Sequence, residues 1–302
     1  MDKILVTGAS GLIGKSLVSR LLDRGLKVNT IGRRYEPQKG VRPYVWDVTR
    51  GTMDPEAIEG VRHIIHLAGA GVADKRWSDE RKREIIDSRT QSARLLYDAC
   101  MNAGVIPDTF VSASGINYYG TATTAHIYNE EDPAGTDFLA KVCVEWEAAA
   151  DRFADLGTRV VKLRTGVVLS TDGGALPTMA RPVNLGLGAA IGTGHQWMPW
   201  SHIDDAVRAY HHALVEASMR GSYNLCAPEH VTNTQFTRQL ALSMHRLLLL
   251  PKVPATALRM TMGEMADMVL EGSRADGTKL CATGFSYRYT TVRQALDQIF
   301  HD

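Results

Sequence analysis

Short apolar runs alternate with amphipathic segments through the first half of the chain. Ile4-Leu5-Val6 reads as a strand, and Leu12, Ile13, Leu17, Val18, Leu21 and Leu22 then recur at helical spacing. Gly25 closes that helix and Val28 to Ile31 forms the second expected strand. Val41 to Trp46 gives a weaker third strand, and Ile64-Ile65-His66-Leu67 a fourth, apolar enough to be buried on both faces. A long polar helix is expected from about Asp79 to Ala103, with Glu80 to Glu84 as an exposed face. Phe110-Val111-Ser112 supplies a fifth strand, Phe138 to Leu156 a helix, and Val160 to Leu163 a sixth strand. Strands alternating with helices imply parallel βαβ units in a doubly wound sheet.

After Gly166 the pattern changes. Residues 171–199 are rich in Gly, Pro and Met without a clean period. Ile203 to Glu216 is again helical, Ser222 to Leu225 is a strand, and two or three helices follow Thr232, broken by Pro251 and Pro254. The expected fold class is therefore α/β: a Rossmann domain over residues 1–170, to which 200–226 return. Residues 171–199 and 227–302 form a smaller C-terminal substrate lobe.

Composition narrows the class of function. The 302 residues are 44% hydrophobic and 22% charged, with a formal net charge of +1. That balance gives no electrostatic reason to expect nucleic acid or an anionic membrane as partner. Apolar runs fall short of the roughly 20 residues that span a bilayer; Leu247 to Leu250 stops at Pro251. Met1-Asp2-Lys3 leads directly into the first strand, so no signal peptide is expected. Cys100, Cys143, Cys226 and Cys281 are scattered, with no Cys-x-x-Cys pair. A reduced, metal-free cytoplasmic protein is the expectation.

Chemistry enters at Gly8-Ala9-Ser10-Gly11-Leu12-Ile13-Gly14, between the first strand and the first helix. Gly8 permits a tight turn, Gly11 lets backbone approach a pyrophosphate, and Gly14 lets helix and strand pack closely. The phosphates would sit on free N–H groups at the helix start. At the end of the second strand an NAD-binding chain usually carries a carboxylate for the ribose hydroxyls. Here stand Arg33 and Arg34, and a guanidinium can grip a phosphate bidentately. NADP(H) is the expected cofactor, with Arg33 as phosphate ligand and Arg34 as its second, one of the two being a solvated surface charge.

These features resemble the extended short-chain dehydrogenase/reductase superfamily. Asp47 after the third strand and Leu67-Ala68-Gly69 after the fourth match it, as does Ser114 at the end of the fifth. Tyr118-Tyr119-Gly120, Trp146-Glu147, Arg164-Thr165-Gly166, Trp200-Ser201-His202 and Gly263-Glu264-Met265 narrow the similarity to its atypical YfcH-like group, placed with the nucleoside-diphosphate-sugar epimerases. The resemblance implies Asp47 as an adenine contact, Ser114 as the catalytic serine and Lys141 as the lysine that holds the nicotinamide ribose. The family's tyrosine, four residues before that lysine, is replaced by Asp137. An aspartate, with a reference pKa near 3.9, is ionised at neutral pH and donates no proton. Tyr118 or Tyr119 either replaces the missing phenol or packs under the substrate loop. His202, on a loop that faces substrate in relatives, is either a general acid or a hydrogen-bonded structural residue. Arg89 reads as reaching the cofactor, the alternative being a helix-surface charge.

The expected partner is a small molecule, a sugar nucleotide being one candidate. The resemblance implies a homodimer paired through the helices near 84–103 and 138–155; on the second, Leu139, Val142, Cys143, Trp146, Ala149, Ala150 and Phe153 make a stripe wider than one core-facing side needs, the alternative being that the chain's own tail covers it.

Overall fold

The computed structural model describes residues 2–301. The first half contains β1 (Lys3–Thr7), α1 (Leu12–Asp23), β2 (Lys27–Gly32), β3 (Val41–Asp47), β4 (Thr52–Met53), β5 (His63–His66), α2 (Asp79–Ala103) and β6 (Thr109–Gly115). Next come β7 (Ile127–Tyr128), α3 (Phe138–Asp151, continued by a 3-10 turn to Leu156) and β8 (Arg159–Thr165). They are followed by β9 (Val167–Leu169), α4 (Ala175–Asn184), β10 (Trp200–His202), α5 (Ile203–Val215) and β11 (Gly221–Leu225). The tail folds as α6 (Asn233–Ser243), α7 (Ala255–Met262), α8 (Asp267–Leu270), β12 (Arg274–Ala275), α9 (Thr278–Ala282) and α10 (Val292–His301).

Eight strands form the central sheet in the order β11-β8-β6-β5-β1-β2-β3-β4, parallel throughout except for β4. The chain begins in the middle, winds outward through β2 and β3, and crosses to β5 on the other side of β1. The strand order therefore reverses between β1 and β5, and the crevice at the carboxyl ends of these two strands is where such sheets bind ligands. Ile4, Leu5 and Val6 have no exposed surface, as a strand covered on both faces requires. One core packs α1 and α5 onto one side of the sheet, with Leu17, Leu21, Ala209 and Tyr210. A second, around Ile64, Leu96, Phe110 and Phe153, lies on the α2 and α3 side.

A third core joins α4, α6 and α10 through Leu176, Val183, Phe236, Leu240 and Leu296. The segment expected to be irregular over 171–199 thus contains a helix. Its prolines escape detection for a physical reason: Pro177 lies in the first turn, where N–H groups have no helical partner. Pro182 sits close to the end of the same helix. The tail holds five helices rather than two or three, because α8 and α9 span only Asp267–Leu270 and Thr278–Ala282, too short to show a period. Among the described residues, no helix is long and apolar enough to cross a membrane.

The wide apolar stripe of α3 is satisfied within the chain. Leu139, Val142, Cys143, Trp146, Ala150 and Phe153 are all buried, and α3 packs against α2, β6 and β8. Ala149, the remaining member of that stripe, is half-buried, and Val144 on the same helix is exposed.

Candidate active site

The glycine loop has the form its spacing predicts. Gly8 takes φ +66°, and a Cβ there would lie 2.8 Å from the Leu67 carbonyl carbon. A Cβ on Gly14 would stand 2.2 Å from the Gly8 oxygen, so this glycine is needed for the helix to pack on its own strand. At Gly11 an added Cβ would meet only the Gly8 oxygen, at 3.2 Å. Gly11 is exposed, and as N-cap of α1 it offers no side chain to the helix's free N–H groups. An uncapped helix start beside an open glycine is the backbone cradle an anionic pyrophosphate fits. Ser10 is exposed beside it and Leu12 and Ile13 are half-buried. Leu12 lies under the Gly173-Gly174 turn, and Ile13 packs on the core.

The facing loop, 67–71, is held from below at nearly every peptide. Thr7 Oγ1 accepts hydrogen bonds from the Leu67 and Ala68 N–H groups, both at 3.1 Å. Having accepted twice, that hydroxyl donates to His66 Nδ1 at 2.9 Å, which leaves the His66 Nε2–H to donate to Ser92 Oγ at 3.2 Å. His66 is fully buried, and burial pushes its pKa down to about 4, so it is neutral. Ser88 Oγ accepts from the Ala70 N–H, Arg89 donates to the Ala70 carbonyl and Arg81 to the Gly71 carbonyl.

Arg89 is thus no surface charge. Its side chain is buried, with Cζ 4.7 Å from the centre of the Trp146 ring. A Cβ on Gly69 would come within 2.9 Å of that guanidinium, so Arg89 braces the loop from behind. Burial lowers its pKa to about 10, which still leaves it charged at neutral pH. Arg81 is buried too, which corrects the expectation that Glu80 to Glu84 is wholly an exposed face.

Arg33 and Arg34 follow β2 and are exposed. The Arg81 hydrogen bond holds the Glu84 carboxyl below its usual range, and the charges of Lys75 and Arg33 add to that effect. Asp47 ends β3 and accepts from the Arg50 N–H at 3.0 Å.

At the end of β6 the chemistry differs from the resemblance. Ser114 is buried and its hydroxyl donates to Glu147 Oε1 at 2.7 Å. Glu147, itself buried, takes a bidentate pair from Arg164 at 2.8 and 2.9 Å and a third bond from Ser222. Burial works to raise the Glu147 pKa; the Arg164 hydrogen bonds and charge overcome it and hold the carboxyl below its usual range. Arg164 also donates to the Tyr119 hydroxyl at 2.9 Å, and Tyr119 donates to Asn224 Oδ1 at 2.8 Å. Burial pushes the Tyr119 pKa well above that of an ordinary phenol. With both sides of its hydroxyl committed, Tyr119 is a structural member of this network.

Asp137 caps α3. Its Oδ1 accepts from the Ala140 N–H at 2.9 Å, and its Oδ2 accepts from the Thr121 N–H and hydroxyl at 2.6 and 3.0 Å. The position that carries a tyrosine in the wider superfamily here joins a helix start to the 120–121 turn. Lys141, one turn on, is exposed and 3.8 Å from Glu145. His202 lies elsewhere: it is buried as the N-cap of α5. Its Nδ1 accepts from the Asp204 N–H, its Nε2–H donates to Gln298, and its ring lies 3.9 Å from Tyr289. The candidate role of His202 as proton donor is not retained, because both nitrogens are engaged, one at the start of α5 and the other on Gln298 of α10. Tyr118 remains: it is half-buried, the Arg164 guanidinium lies 3.3 Å from its ring centre, and its hydroxyl is uncommitted among the described residues.

A small open cleft adjoins this region, lined by Trp77, Thr121, Asp137, Phe138, Glu264 and Met268 among others. Glu147 and Arg164 are the residues that the sequence reading left without a role. A glutamate inside an apolar helical stripe, and a strand reading Arg-Val-Val-Lys-Leu-Arg-Thr with three cations, were the available signals.

The reversed strand order, the uncapped helix and the pinned facing loop define a Rossmann-type α/β protein. Residues 4–226 match the model of the NAD dependent epimerase/dehydratase family, and residues 253–299 match a domain of unknown function, DUF1731. The chain belongs to that epimerase/dehydratase family. It is 38% identical over 294 residues to an epimerase family protein of Mycobacterium bovis, covering 97% of this chain and 96% of the relative. It is similar also to the human epimerase family protein SDR39U1, whose crystal structure with NADPH superposes with a TM-score of 0.87 at 32% identity, covering 99% of both chains. A nucleoside-diphosphate sugar epimerase from Corynebacterium glutamicum gives 0.80 at 29% identity, over 99% of this chain and 58% of that one.

Proposed function

We propose that this chain binds NADP(H) across the β1–β5 crevice and acts as an oxidoreductase or epimerase on a small hydroxyl- or carbonyl-bearing substrate, a sugar nucleotide being one candidate. The carrying observation is the uncapped, open helix start at Gly11 together with the exposed Arg33 and Arg34 in place of a carboxylate. The backbone of Gly8 to Ile13 would hold the pyrophosphate, Arg33 with Arg34 the 2′-phosphate, and the 67–69 loop would flank the dinucleotide. Asp47, through its carboxylate at the end of β3, would meet the adenine, and Lys141 the nicotinamide ribose. The bound cofactor would supply hydride exchange. Ser114, whose proton goes to Glu147, would offer its oxygen as an acceptor for a substrate hydroxyl, and Tyr118, with its hydroxyl uncommitted, would be the phenol that moves a proton. The human relative solved with NADPH supports the choice of cofactor. Calorimetric titration tests it: NADPH should bind more than tenfold tighter than NADH, a difference above about 1.4 kcal/mol, and Arg33→Ala should remove most of that preference. Equal affinities would overturn the assignment.

A second reading is a cofactor-binding protein without turnover. What favours it is Asp137, both of whose oxygens are spent on backbone and side-chain donors, with no phenol in that place. Failure of a panel of sugar nucleotides and simple carbonyls to oxidise NADPH, with tight NADPH binding intact, would select this reading over the first.

A further inference from the structure

The near-neutral net charge hides an uneven distribution. No aspartate or glutamate stands between Asp172 and Asp204, nor between Glu229 and Glu264, whereas Arg181, Arg238, Arg246, Lys252 and Arg259 all fall in these two stretches. The fold lays the two stretches side by side. Ile191 bridges Val253, Arg246 donates to the Asn184 carbonyl and side chain, and Lys252 donates to the Thr193 carbonyl. These five cations are all exposed. Of them, Arg259 has an acidic partner, Asp267, at 3.2 Å.

On this cationic face lies an apolar tip. The α6 helix ends with the Arg246 N–H bonded to the Ala241 carbonyl and the His245 N–H to the Leu242 carbonyl. His245 sits at φ +53°, which turns the chain outward. Leu247 to Leu250 then run without regular structure. Leu248, the least exposed of the four at 36%, lies beside Gly188, while Leu247 and Leu249 are 74% and 76% exposed. Leu185 and Leu187, just past α4, and Met260 on α7 are also more than half exposed, and α7 buries no residue.

Exposed leucines set among cations that, Arg259 apart, have no acidic partner among the described residues are the two ingredients of interfacial membrane binding: apolar side chains that enter the acyl boundary and basic ones that meet anionic headgroups. A second copy of the same face would bring like charges together, which disfavours self-association through it. We propose that the 181–187, 246–252 and 255–262 face docks on an anionic lipid surface, with Leu247 and Leu249 inserted and Arg181, Arg246 and Lys252 against the headgroups. This would correct the expectation, drawn from net charge alone, that a membrane surface is not a partner.

Flotation of the full-length protein with phosphatidylcholine vesicles, with and without 40% phosphatidylglycerol, tests the proposal. Partitioning should be at least tenfold stronger on the anionic vesicles at low salt, and should weaken at least tenfold in high salt or in Leu247→Glu/Leu249→Glu. Because both leucines are exposed, that variant should keep the wild-type melting temperature, and Arg246→Ala/Lys252→Ala should give a smaller loss in the same direction. No partitioning onto anionic vesicles, or equal partitioning of wild type and the leucine variant, would overturn it. So would light scattering showing a dimer that the leucine variant converts to monomer, which would assign the leucines to self-association.

Discussion

Three glycines of one loop do three different things, and substitution should separate them. Gly11 has the Gly8 oxygen alone, at 3.2 Å, near where its Cβ would be, a contact that a shift of a few tenths of an ångström relieves, and its φ of −76° suits any residue. Gly11→Val should therefore leave the fold intact while filling the volume a pyrophosphate needs. Gly14→Val has no such outlet, since its Cβ would overlap the Gly8 carbonyl at 2.2 Å. That variant should lose about 1 to 3 kcal/mol of stability, the usual cost of overpacking, or more because the overlap is with backbone. Thermal melts and NADPH titrations of both proteins check the pair. The expected outcome is an unchanged melting temperature with lost binding for Gly11→Val, and a lowered melting temperature for Gly14→Val. The same scale explains Asp137: a short carboxylate is the right length to cap a helix and reach the next turn, which a phenol is not.

Secondary-structure elements carry the buried charges. On α3, Glu147 occupies the apolar stripe between Cys143 and Ala150, and on β8, Arg164 points into the same space. Neither is tolerable without the other, because an unpaired ion there keeps its desolvation penalty and loses its compensation. Glu147→Ala should cost about 3 to 5 kcal/mol by leaving Arg164 unpaired, whereas the double replacement Glu147→Leu/Arg164→Met should be distinctly milder. Urea midpoints for Glu147→Leu, Arg164→Met and the double variant measure this. Additive losses would show that the pair is not coupled. The network also fixes Ser114, so the serine's rotamer is set by α3 and β8 rather than by its own strand.

For the molecule as a whole, the sensitive charge is the one that must be absent. His66 joins β1, β5 and α2 as a neutral ring, with its folded pKa near 4 against 6.5 in the unfolded chain. A depressed folded value means the unfolded state takes up the proton first as pH falls. The stability this histidine contributes is complete above about pH 6.5 and drains away between 6.5 and 4, on the order of 3 kcal/mol in all. The His66 ring resonances should show no titration from pH 7 to 5, and the urea midpoint should fall over the same interval. His66→Gln should flatten that slope. A ring titrating near 6.5 in the folded protein would refute the buried-neutral assignment.

Sequence alone determined the sheet and the cradle. Strands apolar on both faces, helices of period 3.6 and glycines at fixed spacing are local signals, and local sterics dictate them: α2 runs from Asp79 to Ala103 as its pattern foretold. It determined too that position 137 is not a phenol. Sequence could not show what replaced that function, because hydrogen bonds between residues far apart in the chain leave no periodic trace. Only the tertiary structure decided that Asp137 caps a helix, that Arg89 braces a loop instead of facing water, and that His202 caps α5 and bonds Gln298 of α10. The same holds for Ser114, which gives its proton to Glu147, 33 positions away. It also decided where charge accumulates. The total is a sum over the chain, whereas the potential at a surface depends on which segments the fold sets side by side.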